Sequence, residues 1–271
     1  MKRIGYFVIS AVALATLAFG AHQAFATPPM TGAFITPRVY NDCPSSTLII
    51  TNAYPGFIQI DDQNLSCDPG FANRHAWSFS ADGGATAYAF RNRDMFTFCA
   101  TVILEGTASS EGGLRLSPWW SQYNDGTFML RVDDHGPNSP GEIAVFGGRL
   151  PFYSFTGTYG IEYVRGTSAL LQIAYDPHDV SATNPATATY TLTYNSVVYT
   201  SGPLAFDHGN PAEGHGVWGI LDDARAGGFI QGKIVHGVPV NSKGTWTNIC
   251  FDAGPTPATN STWGKIKATY H

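Results

Sequence analysis

Trp119, Trp120 and Tyr123 stand beside Asn124 and Asp125 in a short connector between two alternating runs, Leu114–Ser117 and Phe128–Val132. Flat indole and phenol rings stack on the apolar C–H face of a sugar, while Asn and Asp side chains hydrogen-bond its hydroxyls. Neighbouring residues of a strand point to opposite faces, so one of the two tryptophans is expected in the core. A second polar cluster is Asp207-His208-Gly209-Asn210-Pro211-Ala212-Glu213-Gly214-His215. Asp207, Asn210 and Glu213 supply the oxygen ligands that calcium takes from a turning backbone. His208 and His215 would instead favour a transition metal. The bland alternative is a solvated connector, because Asp, Asn, Gly and Pro are ordinary turn residues.

Catalytic signatures are thin. No Gly-x-Ser-x-Gly elbow, phosphate loop or dinucleotide fingerprint occurs. Retaining glycoside hydrolysis needs two carboxyl groups close together, and the run Glu142-Ile143-Ala144-Val145-Phe146 offers one. The chain is therefore read as leaning away from an enzyme.

These residues need a frame to hold them. Residues 1–26 read as a secretory signal peptide: Lys2 and Arg3, an apolar run to about Phe19, then Ala24-Phe25-Ala26 as the cleavage site. The expected compartment is extracellular or periplasmic. The formal net charge is −5, and loss of Lys2 and Arg3 makes it more negative. No basic stripe is present, which argues against nucleic acid as a partner, and no later segment is long enough to insert in a membrane. Charged residues make up 13% of the chain, about half the usual share, as in extracellular β proteins rich in Thr, Ser and Gly.

Four cysteines in an exported chain imply two disulfides. Spacing favours Cys43 with Cys67 and Cys99 with Cys250; the other two pairings stay open.

Residues 27–46, rich in Pro and Ser, read as an irregular lead-in, residues 47–253 as one β domain, and residues 254–271 as a C-terminal extension. The strand candidates are short and numerous. Ala186–Tyr194 has the clearest period of two, with four threonines on one face, and Asn195-Ser196 then makes a tight hairpin to Val197–Thr200. In Phe96–Glu105 both faces look covered. Ala87–Phe90, Ile161–Arg165 and Val217–Leu221 are also read as strands, and Leu221–Ala226 as one helical turn. No 3.6-residue apolar period lasts ten residues beyond the leader, so the fold class is all-β, a two-sheet antiparallel β-sandwich or jelly roll.

The strand rhythm, with Glu111–Ser117 (EGGLRLS), Gly126–Leu130 (GTFML), Gly141–Gly148 (GEIAVFGG), Thr189–Gly202 (TYTLTYNSVVYTSG) and Gly216–Gln231 (GVWGILDDARAGGFIQ), resembles the concanavalin A-like lectin/glucanase superfamily, including its laminin G-like members. The likeness spans roughly Ser80 to Phe251 and implies a polysaccharide or glycan partner and a structural calcium ion. Glucanases of that superfamily carry Glu-x-Asp-x-x-Glu on one strand, which is absent here. Jelly-roll alginate lyases show Gln-Ile-His and later Lys-Ala-Gly-x-Tyr-x-Gln. This chain has Gln172-Ile173-Ala174 and Arg225-Ala226-Gly227-Gly228-Phe229-Ile230-Gln231, with Ala174 in place of the histidine and Phe229 in place of the tyrosine. A lyase would use Arg225, Gln231 and Gln172 along its groove, with His236 as substitute base. The leading expectation is carbohydrate binding, with a polysaccharide lyase or glycoside hydrolase as the alternative; a third is a structural or adhesive subunit whose sheet edges pair with other chains.

Overall fold

The computed structural model describes residues 27–107, 109–118, 126–132, 141–147, 150–206, 218–221, 223–234 and 239–254. They form an all-β, two-sheet antiparallel β-sandwich. Fourteen strands and one short helix follow in order: β1 (Gly32–Asn41), β2 (Thr47–Ala53), β3 (Phe57–Leu65), β4 (Ala72–Ser80), β5 (Phe96–Gly106), β6 (Ser110–Pro118), β7 (Gly126–Val132), β8 (Ile143–Phe146), β9 (Tyr153–Ser154), α1 (Phe155–Tyr159), β10 (Ser168–Asp176), β11 (Thr187–Tyr194), β12 (Val197–Ala205), β13 (Ala224–Lys233) and β14 (Val240–Ala253). One sheet runs β1-β4-β13-β6-β7-β8-β9 and the other β12-β11-β10-β5-β14-β3-β2. Each sheet mixes early and late strands, so neither forms without the whole chain.

Alternation builds the core. Phe96, Phe98, Ala100, Val102 and Leu104 of β5 face inward, as do Ala188, Tyr190, Leu192 and Tyr194 of β11. The second face of β5 is half-exposed rather than covered. Aromatic rings meet edge to face across the sandwich: Trp77 with Trp246 at 6.1 Å and Phe79 with Phe98 at 5.6 Å between centroids, the geometry that ring quadrupoles favour. Asn195 and Ser196 both take positive φ, the conformation a two-residue hairpin of matching twist requires.

The lead-in is not irregular. Gly32–Asn41 is an edge strand paired with β4, and its register shifts between Thr36 and Tyr40. Pro37 and the positive φ of Arg38 in that interval break the alternation by which a strand is recognised, and an edge tolerates both. Four other readings are corrected. Ala87–Phe90 contributes only a bridge from Phe90 to Ala224, and Ile161–Arg165 only one from Tyr163 to Gly141. Trp218–Leu221 is not strand, and a turn at Leu221–Ala224 leads into β13 instead of a helix. The helix that does form, α1, has Ser154 as N-cap and Gly160 in the left-handed conformation at its end. At five residues it is too short to show a period.

A buried polar network pins β1 and β4 to β3. The backbone N–H of Arg38 donates to His75 Nδ1 at 2.9 Å, so the ring proton sits on Nε2 and is donated to Asp62 Oδ2 at 2.8 Å. Asn73 Nδ2 donates to the same carboxylate oxygen at 3.0 Å. The disulfides are Cys43–Cys67 and Cys99–Cys250, the pairing favoured by spacing.

Candidate functional site

Period two gives the β1–β9 sheet a second face, turned away from the sandwich core. Leu114 and Leu116 of β6 point inward, so Glu111, Gly113 and Arg115 point outward. Phe128 and Leu130 do the same for Thr127, Met129 and Arg131, and Ala226 and Ile230 for Arg225, Gly227, Phe229 and Gln231. Strand register then lays these residues in rows across the sheet. One row reads Tyr40, Arg74, Gln231, Glu111 and Arg131; the next reads Ala76, Phe229, Gly113, Met129 and Ala144; the third reads Phe34, Ser78, Gly227, Arg115 and Thr127.

The middle of this face is buried. Arg74 and Arg115 are each 5% exposed and Phe229 is 1% exposed. Tyr40, Glu111, Arg131, Arg225 and Gln231 form a half-exposed rim. Two glycines let neighbouring strands approach closely here. A Cβ on Gly113 would lie 1.9 Å from the carbonyl oxygen of Phe128, and one on Gly227 would lie 2.1 Å from that of Trp77, so no side chain fits at either position.

Polar contacts organise the floor. Tyr40 donates its hydroxyl to Gln231 Oε1, and Arg74 donates to the same oxygen at 3.1 Å. The Arg74 guanidinium lies 4.2 Å above the centre of the Phe229 ring. Arg115 donates to Ser78 Oγ at 3.1 Å. At one corner Arg131 is held by Glu111 at 2.8 Å and Glu142 at 3.4 Å. At the other, Arg225 donates to the carbonyl of Asp223. Thr127 Oγ1 and Arg225 Nε are shielded from solvent and have no hydrogen-bond partner among the described residues.

The electrostatics follow from burial and crowding. Burial, reinforced by Arg74 and Arg225, lowers the Arg115 guanidinium to about 9, which leaves it charged at neutral pH. Burial also lowers Arg74, partly offset by Tyr40 and Glu111. The Tyr40 hydroxyl is pushed up by burial despite Arg74 beside it, which makes it a poor base near neutrality.

Arg225 and Gln231 do share this floor. Gln172 does not: it is on β10 between the core residues Leu171 and Ile173, on the outer side of the opposite sheet. Trp119, Trp120, Tyr123, Asn124, Asp125, Asp207, Asn210, Glu213 and His236 lie outside the described residues. Among the described residues no group of three or more His, Cys, Asp or Glu side chains is arranged to hold a metal. The chain flanking both predicted loops is placed at one end of the sandwich. Pro118 ends β6 opposite Ala224 of β13. Phe206 and Trp218, which bracket residues 207–217, both hydrogen-bond the backbone of Ala186.

Sequence reasoning missed Tyr40, Arg74 and Arg115. Tyr40 fell in the segment read as irregular. Arg115, set between Leu114 and Leu116, carried a usable signal: a cation at a strict period-two position of a covered strand.

No protein-family model and no curated protein matches this chain. Solved structures to which it is similar include lectin I-B4 from Griffonia simplicifolia in its metal-free form, at 15% identity and TM-score 0.39, covering 81% of this chain and 99% of that one. The Lotus tetragonolobus seed lectin is similar at 12% identity and TM-score 0.43, covering 82% and 99%. An alginate lyase from Alteromonas sp. 272 is similar at 8% identity and TM-score 0.41, covering 81% and 93%. No helix among the described residues is long and apolar enough to cross a membrane.

Proposed function

We propose that this chain is a secreted, non-catalytic carbohydrate-binding protein whose glycan lies along the outer floor of the β1–β9 sheet. The observation that carries the reading is the pair of shielded, unpartnered polar atoms there, Thr127 Oγ1 and Arg225 Nε. Buried polar groups are nearly always satisfied, and a face with buried arginines inside a hydrogen-bonding rim is where a ligand would satisfy them. Tyr40, Arg225 and Gln231 serve the hydroxyls, and Trp119, Trp120, Tyr123, Asn124 and Asp125 form a stacking platform at the Arg225 end. Asp207, Asn210 and Glu213 hold a calcium ion that stiffens the adjoining loop. Phe229 and Ala174 in place of the lyase tyrosine and histidine weigh against catalysis.

A glycan array probed with the purified protein, once with calcium and once with EDTA, tests this. Binding should appear with calcium, weaken with EDTA and fall in Arg225→Ala and Gln231→Ala. No binding to any glycan under either condition rules the reading out.

A further inference from the structure

We infer that the ligand of this floor is an acidic glycan, one bearing carboxylate or sulfate groups, held by Arg74, Arg115 and Arg225; the inference rests on the carbohydrate reading above. Charge is unevenly placed in this protein. The chain as a whole is acidic, at −5, yet three arginines converge on one face of three adjacent strands. Arg74 comes from β4, Arg225 from β13 and Arg115 from β6. Arg115 is paired with Gly227 and Arg225 with Ser117, so these two cations are one step apart along the groove. Glu142 pairs with Arg131 at the opposite corner, and Glu111, also paired with Arg131, offsets Arg74 only in part.

Setting like charges together in a shielded place is costly for folding, and such placements cluster at functional sites. The Arg115 guanidinium responds to its like-charged neighbours as well as to burial. An anion arriving at the floor removes that repulsion, whereas a neutral sugar does not. The residue type matters too: a guanidinium presents a planar fork that matches carboxylate or sulfate oxygens two at a time. Arg225, half-exposed on the rim with its Nη1 held by the carbonyl of Asp223, makes the direct contact through the exposed part of its guanidinium. Arg74 and Arg115, sunk beneath, supply the field.

Titration calorimetry of the purified protein with four polymers tests the inference: a polyuronate, dextran sulfate, neutral dextran and double-stranded DNA. The expected result is binding to at least one acidic polysaccharide, weakening steadily with salt, and at least tenfold weaker binding to dextran and DNA. Preference between polyuronate and dextran sulfate identifies the anionic group. Arg225→Gln should lose about tenfold in affinity while Arg165→Gln, an exposed loop control, loses nothing. Arg115→Gln should behave like Arg225→Gln if it folds, and the rim variant alone decides if it does not. Binding to dextran or DNA as tight as to the acidic polysaccharides, or an unaffected Arg225→Gln, overturns the inference. Binding confined to neutral glycans overturns it too but leaves the carbohydrate reading standing, and no binding to any glycan removes both.

Discussion

Trp246 of β14 donates its indole N–H to the carbonyl oxygen of Gly113 on β6, 3.0 Å away through the core. The bond ties the two sheets together directly beneath the floor, and Gly113 is a floor residue. Trp246→Phe keeps most of the apolar volume but strands a buried carbonyl. An unsatisfied buried polar group costs about 1–3 kcal/mol, and the lost ring area adds to it. Thermal unfolding should show a melting temperature lower by several degrees, and an unchanged value would mean the bond contributes nothing.

The two floor glycines make a sharper case. Gly113→Ala and Gly227→Ala each force a methyl group against a backbone carbonyl at about 2 Å, and backbone cannot step aside as a side chain tip can. Overpacking of this kind costs about 1–3 kcal/mol and sometimes more. Gly166 has positive φ, but a methyl group there would meet nothing within 4 Å, so Gly166→Ala carries conformational strain alone. Denaturant melts should rank both floor variants well below Gly166→Ala; equal ranking would mean the strands can separate without penalty.

Why the fold was readable and the floor was not follows from what each rests on. A strand such as β11 announces itself because one face is buried and the other is not, giving alternation that needs no partner to be seen. The floor arises from register between strands far apart in the chain. Tyr40 meets Gln231 only because β4 lies between β1 and β13, and no local pattern encodes that neighbour order. The same non-locality parted Gln172 from Arg225. Two stretches of similar motif type, in the expected chain order, ended on different sheets.

Asp62 provides a pH handle. Burial works against its carboxylate, yet hydrogen bonds from His75, Ser46 and Asn73 outweigh burial and hold it below the usual range. A depressed folded pKa means the stabilisation is complete above the unfolded value, near 3.9, and is lost as pH falls through the folded value. Chemical denaturation between about pH 5 and pH 2 should therefore show a steep acid limb. Asp62→Asn removes the charge opposite the His75 Nε2 proton. The amide would keep an oxygen for that proton but lose the charge assistance, which is worth about 1.5–3 kcal/mol for a hydrogen bond to a charged group, and the limb should flatten. An equally steep limb in the variant would place the acid sensitivity elsewhere.

The two disulfides should separate under reduction. Cys43 is fully buried and packs with Leu65, Ile234 and Val240, so a thiolate can approach that bridge only from the side of the half-exposed Cys67. Cys250 is exposed and Cys99 half-exposed on the outer face of the other sheet, where a small thiol can attack directly. Their consequences differ as well. Cys99–Cys250 links residues 151 apart and Cys43–Cys67 residues 24 apart, which in the chain-entropy model gives about 5 and about 3.5 kcal/mol. The β5–β14 ladder continues on both sides of the longer bridge, so the native sheet survives its loss and the effect falls on the unfolded chain. Mild dithiothreitol under native conditions, followed by alkylation and peptide mapping, should label Cys99 and Cys250 first. The partly reduced protein should keep its β-sheet circular dichroism and melt at a lower temperature. Early labelling of Cys43 and Cys67 instead would show that the β1–β3–β4 corner opens more readily than its buried network implies.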